Sequence, residues 1–214
     1  DSGVANAASF RAGPIAPGSL VTLSGADLGG KSASPAVLVR GVGGEREANV
    51  LYADPGQLNV LVPAEVERGE AEVVVRRENQ EDARAKVTVA DVSPGVFMLN
   101  AAGLAAASLV RLSEAGATTS EAVFRVDDSG AVAAAPIDFG GEGDRLWLVL
   151  YGTGLRGRNS LAAVSVEIAG VTLAAEYCGP QPQFAGLDQL NVALPRSLAG
   201  TGTAAVRVTI NGAT

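Results

Sequence analysis

Alternation of apolar and polar residues along this chain predicts that it is built from short β-strands. Residues 20–24 alternate in this way and run into a glycine-rich turn from Gly25 to Gly30, which is typical of a half-buried strand that enters a tight bend. We predict strands over 21–24, 37–39, 50–52, 58–62, 70–77 and 84–89 in the first half, and over 146–151, 164–168, 173–177, 190–194 and 205–210 in the second.

Turn residues separate these strands. Glycines at 41–44 indicate a hairpin between the strands at 37–39 and 50–52, because glycine adopts turn conformations that other residues avoid. The segment Asp54-Pro55-Gly56 predicts a turn, after which the apolar side chains of residues 58–62 face one side and Asn59 faces the other. Pro63 ends that strand, since it has no N–H to donate.

Two of these patterns occur twice and in the same order. Residues 19–30 are similar to residues 146–157, and Gln57-Leu58-Asn59-Val60 is answered by Gln189-Leu190-Asn191-Val192. Recurrence at a similar separation indicates a duplicated domain. We therefore predict one copy over residues 1–91 and a second over residues 128–214.

The segment between the copies, 92–127, has no counterpart in either one. We predict a β-rich connector with strands at 104–112 and 122–126, although the run Ala105-Ala106-Ala107 also permits a helix. The second copy has no equivalent of the strand at 84–89. We therefore expect an exposed sheet edge there, or a strand supplied by sequence beyond this chain.

Composition narrows the classes of function. The net charge is −7 and the pI is near 4.7, which disfavours binding to the nucleic-acid backbone. We expect no membrane span, because no apolar run approaches the roughly 20 residues that one requires. The chain has no histidine, so the usual general base and the commonest metal ligand are missing. We predict no cofactor and no metal, and we interpret the lone Cys178 as a small loop residue.

Two glycine motifs match nucleotide-binding patterns by letter. Residues 25–32 fit G-x-x-x-x-G-K-[ST], and Gly152, Gly154 and Gly157 fit G-x-G-x-x-G. Both motifs require a helix directly after the turn. Pro35 and the strand pattern of 37–39 follow the first motif, and a period of two over 164–168 follows the second. We interpret both motifs as turns.

Two further patterns can be interpreted either as functional sites or as ordinary structural features. Asp1-Ser2-Gly3 and Asp128-Ser129-Gly130 are typical of the paired carboxylate loops of aspartic proteases, but the same letters form ordinary turns. The mixed charges over 65–82 indicate a solvated face. We expect Trp147 to pack in the core, and the aromatic fraction of 4% argues against a platform of rings that binds sugars.

Several segments resemble a known family along nearly the whole chain: 6–10, 14–25, 52–60, 93–97, 151–155 and 186–192. They resemble the Solibacter-type uncharacterised C-terminal domain of Acidobacteria. Each copy is also similar, more loosely, to the immunoglobulin-like IPT/TIG module. The resemblance implies a C-terminal appendage of large exported proteins, of a kind that is structural or adhesive, and it transfers no catalytic residue. The longer middle segment departs from the family pattern.

We predict an all-β chain of two immunoglobulin-like β-sandwich domains that serves as a non-catalytic structural, adhesion or spacer module, secreted or at the cell surface. A sorting or attachment domain read by export machinery is the alternative, and an acid protease is a third. A protein or cell-surface partner and the oligomeric state are left open. The residues singled out as structural turn motifs are Gly25, Asp54, Pro55, Gly56, Gln57, Asn59, Gly152, Gly154, Asp188, Gln189 and Asn191.

Overall fold

The computed structural model describes residues 3–29, 35–77 and 82–214, and in these residues the chain is all-β. Its first strands are β1 (Val4–Asn6), β2 (Leu20–Ser24), β3 (Ala36–Gly41), β4 (Gly44–Asp54), β5 (Gln57–Leu61), β6 (Gly69–Arg76) and β7 (Ala83–Val89). The strands that follow are β8 (Gly95–Val96), β9 (Ala107–Leu112), β10 (Thr118–Ala122), β11 (Phe124–Val126), β12 (Val132–Ala134), β13 (Arg145–Thr153), β14 (Val164–Ile168), β15 (Val171–Pro180), β16 (Asp188–Ala193) and β17 (Val206–Ile210). Two 3-10 turns lie at Leu161–Ala163 and Arg196–Leu198.

These strands form two main antiparallel sheets. The first has the order β1-β2-β5-β4-β3-β6-β7, and the second has the order β10-β9-β13-β16-β15-β14-β17, with β8 paired to β13. A parallel bridge joins Ile15 to Val89 of β7. The segment after β1, which starts at one edge of the first sheet, therefore contacts the opposite edge. The first sheet therefore nearly closes on itself.

One long strand in each sheet changes partner along its length. In β4, residues 44–48 pair with β3 and residues 49–54 pair with β5, with a bulge between Val50 and Tyr52. In β15, residues 171–174 pair with β14 and residues 175–180 pair with β16, with a bulge between Ala175 and Tyr177. A bulge bends and twists a strand, so each sheet can fold over its own side chains. Each sheet has its own buried hydrophobic cluster.

The two sheets share a neighbour order. The run β2-β5-β4-β3-β6 of the first sheet matches β13-β16-β15-β14-β17 of the second. The two recurring sequence patterns fall on matched strands. β2 and β13 lead into the two glycine turns, and β5 and β16 contain the two Gln-x-Asn patterns.

The middle segment belongs to the second sheet. β9 pairs with β13 over six residue pairs, and β10 pairs with β9. β11 and β12 form a separate hairpin. The Ala105-Ala106-Ala107 run is not helical, because Met98 forms an antiparallel bridge with Ala105 and β9 begins at Ala107. The domain limits at residues 91 and 127 stay a prediction.

At the far end of the second sheet, β17 pairs with β14 and ends the strand order. Its counterpart β6 has β3 on one side and β7 on the other. The addition of a further strand at β17 stays a prediction. Within the described ranges, no helix is long and apolar enough to cross a membrane.

Strands with a buried face were found by their period-two pattern, whereas shorter strands were missed. β5, β14 and β16 alternate in burial as expected. β2 and β13 depart from strict alternation, because Thr22 and Val149 are buried along with the residues on either side of them. The predicted strand at 122–126 is divided between β10 and β11. Four strands have no alternating apolar pattern that could be recognised. β1, β8 and β12 have only two or three residues, and β10 is exposed along nearly all of its five residues.

The glycine turn after β13 lies against the backbone of the chain that enters the second sheet. A Cβ at Gly152 would overlap the Gly95 carbonyl oxygen, one at Gly154 would overlap that of Ser93, and one at Gly157 would overlap that of Asp91. Gly154 also has φ +73°, a conformation that side chains disfavour. Glycine is therefore required here by a close approach of two backbones.

We expect Gly154→Ala to reduce the free energy of unfolding by about 3 kcal/mol or more, because left-handed strain and steric overlap add. Gly170→Ala is the matched control, because Gly170 has φ +79° with nothing within 4 Å of its Cβ position. The control should cost about 1 kcal/mol. Urea unfolding of both variants measures the difference, and equal losses would show that the contact with Ser93 contributes nothing.

Candidate functional site

The first glycine turn packs against the turn that precedes β5. The Gly25 N–H donates to the Gly56 carbonyl at 3.2 Å, and the Leu28 N–H donates to the Pro55 carbonyl at 2.9 Å. The Asp54 carboxylate accepts from the Gly56 N–H at 3.1 Å. The structure therefore brings Gly25 together with the predicted turn at 54–56. Lys31 and Ser32 of the phosphate-loop pattern lie outside the described residues.

In the second copy a buried carboxylate replaces those backbone acceptors. Asp188 is 0% exposed and accepts from the Leu155 N–H at 2.7 Å and the Arg156 N–H at 3.3 Å. The Arg156 guanidinium donates to the same carboxylate from Nε at 2.7 Å and to the Leu187 carbonyl at 3.1 Å. A buried charge is tolerated when it is paired and hydrogen-bonded. The sequence placed Asp188 in a turn but gave no sign of its pairing with Arg156.

The two Gln-x-Asn patterns have the same geometry. The Gln57 side-chain amide donates to Asn59 Oδ1 at 3.0 Å, and that of Gln189 donates to Asn191 Oδ1 at 2.9 Å. A tyrosine of the bulged strand lies opposite each asparagine, at Tyr52 and at Tyr177. Each copy thus presents a tyrosine beside a pair of amides on the outer face of its sheet.

Buried polar groups join the two sheets. The Thr153 hydroxyl accepts from the Leu20 N–H at 2.8 Å and donates to the Gly186 carbonyl at 2.7 Å. The Asn6 amide donates to the Ser93 carbonyl at 2.7 Å. The Ser93 hydroxyl donates to the Pro14 carbonyl at 2.6 Å. We call these side chains, of Asn6, Ser93 and Thr153, the polar junction.

Close packing accompanies the polar junction. A Cβ at Gly95 would overlap the Asn6 side chain. A Cβ at Gly186 would lie 2.6 Å from the Leu20 side chain, and one at Gly18 would lie 3.1 Å from Arg156 Nη1. Two of these glycines, Gly18 and Gly186, also have positive φ. Sequence reasoning missed the junction, since it depends on contacts between residues that are far apart in the chain.

Arg111 forms a second charged cluster at the edge of the second sheet. Its guanidinium donates to Glu121 at 2.7 Å, to Asp144 at 3.2 Å and to the Asp138 carbonyl at 2.7 Å. The hydrogen bond to Glu121 is the main cause that raises the pKa of Arg111 and lowers that of Glu121. The Glu114 N–H, and then Arg111, lower the pKa of Asp144. The cluster ties β9 and β10 to the loop before β13.

The Asp-Ser-Gly turn at 128–130 connects β11 to β12 and is exposed. Here the preceding residue, Asp127, accepts from the Ser129 hydroxyl at 2.6 Å and from the Ala131 N–H at 3.0 Å. These bonds lower the pKa of Asp127. Asp1 and Ser2 lie outside the described residues. Residues 3–29, 35–77 and 82–214 contain no group of three His, Cys, Asp or Glu residues placed to hold a metal.

Trp147 does not pack in the core as the sequence analysis expected. It is partly exposed on β13, where Leu146 and Leu148 are the buried neighbours. Its Nε1–H donates to the exposed Glu176 carboxylate at 2.7 Å. Alternation therefore decides its position, since adjacent residues of a strand face opposite sides.

Cys178 does not lie in a loop, as expected from the sequence, but in β15, where it pairs with Leu190 of β16. It is fully buried, and its thiol lies 3.6 Å from the Leu155 carbonyl oxygen. Burial raises the pKa of the thiol to about 11. A thiol in such surroundings stays protonated and unreactive near neutral pH.

We expect Asp188→Asn to lower the free energy of unfolding by about 3 kcal/mol, because it leaves the Arg156 guanidinium without its charged partner. Asp54→Asn is the matched control. Asp54 occupies the corresponding turn of the first copy and accepts one exposed backbone hydrogen bond, so its loss should stay below about 1 kcal/mol. Thermal and urea unfolding report both values, and similar small losses would contradict the role of Asp188.

We expect Cys178 to resist a thiol-reactive disulfide reagent at pH 8 and to react fully after unfolding. The thiol pKa is raised in the folded chain, so its contribution to stability is present below pH 9 and is lost as the pH rises toward about 11. Cys178→Ala should lack this part of the pH dependence. Rapid labelling of the folded protein at pH 8 would refute the buried environment.

No family model matches the chain, and no curated protein matches it. Among solved structures, the chain is similar to SGBP-B of the mixed-linkage glucan utilization locus of Bacteroides ovatus, solved in complex with mixed-linkage heptasaccharide. The identity is 16%, the TM-score is 0.35, and the match covers 85% of this chain and 32% of that chain. This chain thus spans about a third of the length of that solved chain. These comparisons assign the chain to no family.

Proposed function

We propose that the chain is a non-catalytic structural, adhesion or spacer module of a larger exported bacterial protein, made of two immunoglobulin-like β-sandwich domains. The shared neighbour order of the two sheets supports the duplication, as do the long strands that change partner between two layers. The resemblance of several segments to the Solibacter-type C-terminal domain supports the exported location.

The observation that carries this proposal is the polar junction. Domains within one chain usually move relative to each other unless the contact between them is extensive. Here a hinge motion would separate the Thr153 hydroxyl from the Leu20 N–H and would also expose the buried Asn6 side chain. Water would then replace each partner, so the motion loses the net contribution of each hydrogen bond, about 0.5–1.5 kcal/mol. The junction therefore favours a stiff contact between the two sheets, which suits a spacer.

A stiff junction also explains why polar side chains are used. Apolar packing tolerates sliding because it has no directional requirement. Each hydrogen bond of the junction specifies a direction and a distance, from the 2.6 Å bond of Ser93 to the 2.8 Å bond of Thr153. The relative orientation of the two copies is thereby fixed along with their contact.

Small-angle scattering of the whole chain tests the proposal. We expect the profile to fit one rigid body, and Thr153→Val to broaden the distance distribution because it keeps the side-chain shape but removes the hydroxyl. Thr209→Val is the control, since the Thr209 hydroxyl is exposed and contacts Thr214. A wild-type profile that requires freely rotating domains would overturn the spacer function.

Deletion of this segment from its parent protein separates the structural function from the sorting alternative. A structural module predicts that the parent is still exported in normal amount. Loss of export, with the parent retained inside the cell, would favour a domain read by export machinery.

A further inference from the structure

Three aromatic rings lie on the outer face of the second sheet. Trp147 and Tyr151 belong to β13 and Tyr177 belongs to β15, on either side of β16. Tyr151 lies opposite Gln189, and Tyr177 lies opposite Asn191. The chain has one tryptophan and three tyrosines, so three of these four rings share one face.

Strand geometry sets the separation of these rings. Trp147 and Tyr151 are four residues apart on one strand, which corresponds to about 14 Å. Tyr177 is two strands away, which corresponds to about 10 Å, at the level of Val149 midway between the other two rings. The three rings therefore frame the Gln189 and Asn191 amides.

Each ring is held by its polar atom. The Trp147 Nε1–H donates to Glu176 at 2.7 Å, the Tyr177 hydroxyl donates to the Pro180 carbonyl at 2.6 Å, and the Tyr151 hydroxyl lies 3.2 Å from that of Ser108. Tyr177 is still 37% exposed. Rings fixed before binding lose little conformational entropy when a ligand packs on them.

Polar donors accompany the rings. Asn191 Oδ1 already accepts from Gln189, so the amide nitrogen is the remaining donor of that side chain. Arg158 Nη1 and the Tyr177 hydroxyl lie 3.9 Å and 3.2 Å from the position that a Cβ on Gly179 would occupy. A cationic guanidinium therefore lies near the Tyr177 hydroxyl.

We propose that this face binds an uncharged oligosaccharide, with Trp147, Tyr151 and Tyr177 as packing surfaces and Gln189, Asn191 and Arg158 as hydrogen-bond donors. Sugar rings present apolar C–H faces and a rim of hydroxyls, which match aromatic rings beside amides. The net charge of −7 opposes a polyanionic ligand. The proposal rests on the adhesive version of the proposed function and names its ligand class.

The few aromatic residues do not exclude such a site, contrary to the expectation from composition. A binding face needs a small number of rings at suitable positions, and the fold places three on β13 and β15, the strands on either side of β16. The first sheet offers one tyrosine, Tyr52, in the corresponding arrangement with Asn59. The two copies are therefore expected to differ in binding.

Trp147 is the chain's one tryptophan, so its fluorescence reports on this face. We would titrate the whole chain with soluble xylan, xyloglucan, galactomannan and mixed-linkage β-glucan, with polygalacturonate as the anionic comparison. We expect at least one neutral polysaccharide to shift the emission in a saturable way. Tyr177→Ala should weaken that binding at least about tenfold.

Tyr52→Ala is the matched control, because it removes the corresponding tyrosine of the first sheet and should leave the affinity within about twofold. Gel retardation in the same polysaccharides repeats the test without relying on Trp147, and Trp147→Ala should abolish retardation while circular dichroism shows intact β-structure. Saturation by polygalacturonate alone, equal weakening by Tyr52→Ala, or no response to any neutral polysaccharide would overturn the proposal. The scattering result for the rigid junction is independent of all three outcomes.

Discussion

The arrangement of the whole molecule depends on one close contact between backbones. The backbone of residues 91–95 lies directly against the glycine turn at Gly152, Gly154 and Gly157. A Cβ at any of these three glycines would overlap a carbonyl oxygen of that segment. This contact aligns β8 with β13. Because β7 ends at Val89 and β8 begins at Gly95, the first sheet cannot lie more than about 20 Å from the second at this point. The polar junction then forms between surfaces that are already adjacent.

The buried polar residues are consistent with this constraint. Where two backbones meet closely, their N–H and C=O groups are shielded from water and need partners within the protein. Ser93 and Thr153 provide such partners beside the glycine turn. Asp188 and Arg156 do so on its other side. In the first sheet, the carbonyl oxygens of Pro55 and Gly56 accept the N–H groups of the glycine turn. The Asp188 carboxylate takes this place in the second sheet, where the turn also contacts the chain that comes from the first sheet.

Much of this fold could be predicted from period-two alternation, because strands with one buried face require it. The interpretation of the second glycine motif as a turn without a following helix is confirmed, because β14 follows it after one 3-10 turn. The partners of these motifs could not be predicted. That Gly154 faces Ser93, or that Asp188 pairs with Arg156, depends on contacts between residues 61 and 32 positions apart, which no local pattern encodes.

The position of Trp147 could have been predicted from the alternation of its strand, but the size of its side chain was given more weight. Its size favoured the core, yet the alternation of Leu146, Leu148 and Leu150 already assigned it to the opposite face. The same reasoning applies to Tyr151, which continues the outer row, and to Gln189 and Asn191, which alternate with the buried Leu190 and Val192.

Composition averages over the chain, whereas recognition depends on which residues share a face. A chain with 4% aromatic residues can still concentrate three rings on a sheet, provided that register brings their strands together. The register of β13, β16 and β15 does so in the second copy. In the first sheet, β2 has Leu20 and Ser24 at the positions that Trp147 and Tyr151 occupy in β13. Two sheets with the same strand order can thus carry different residues on one outer face, while the glycine turn and the junction lie away from the residues that differ.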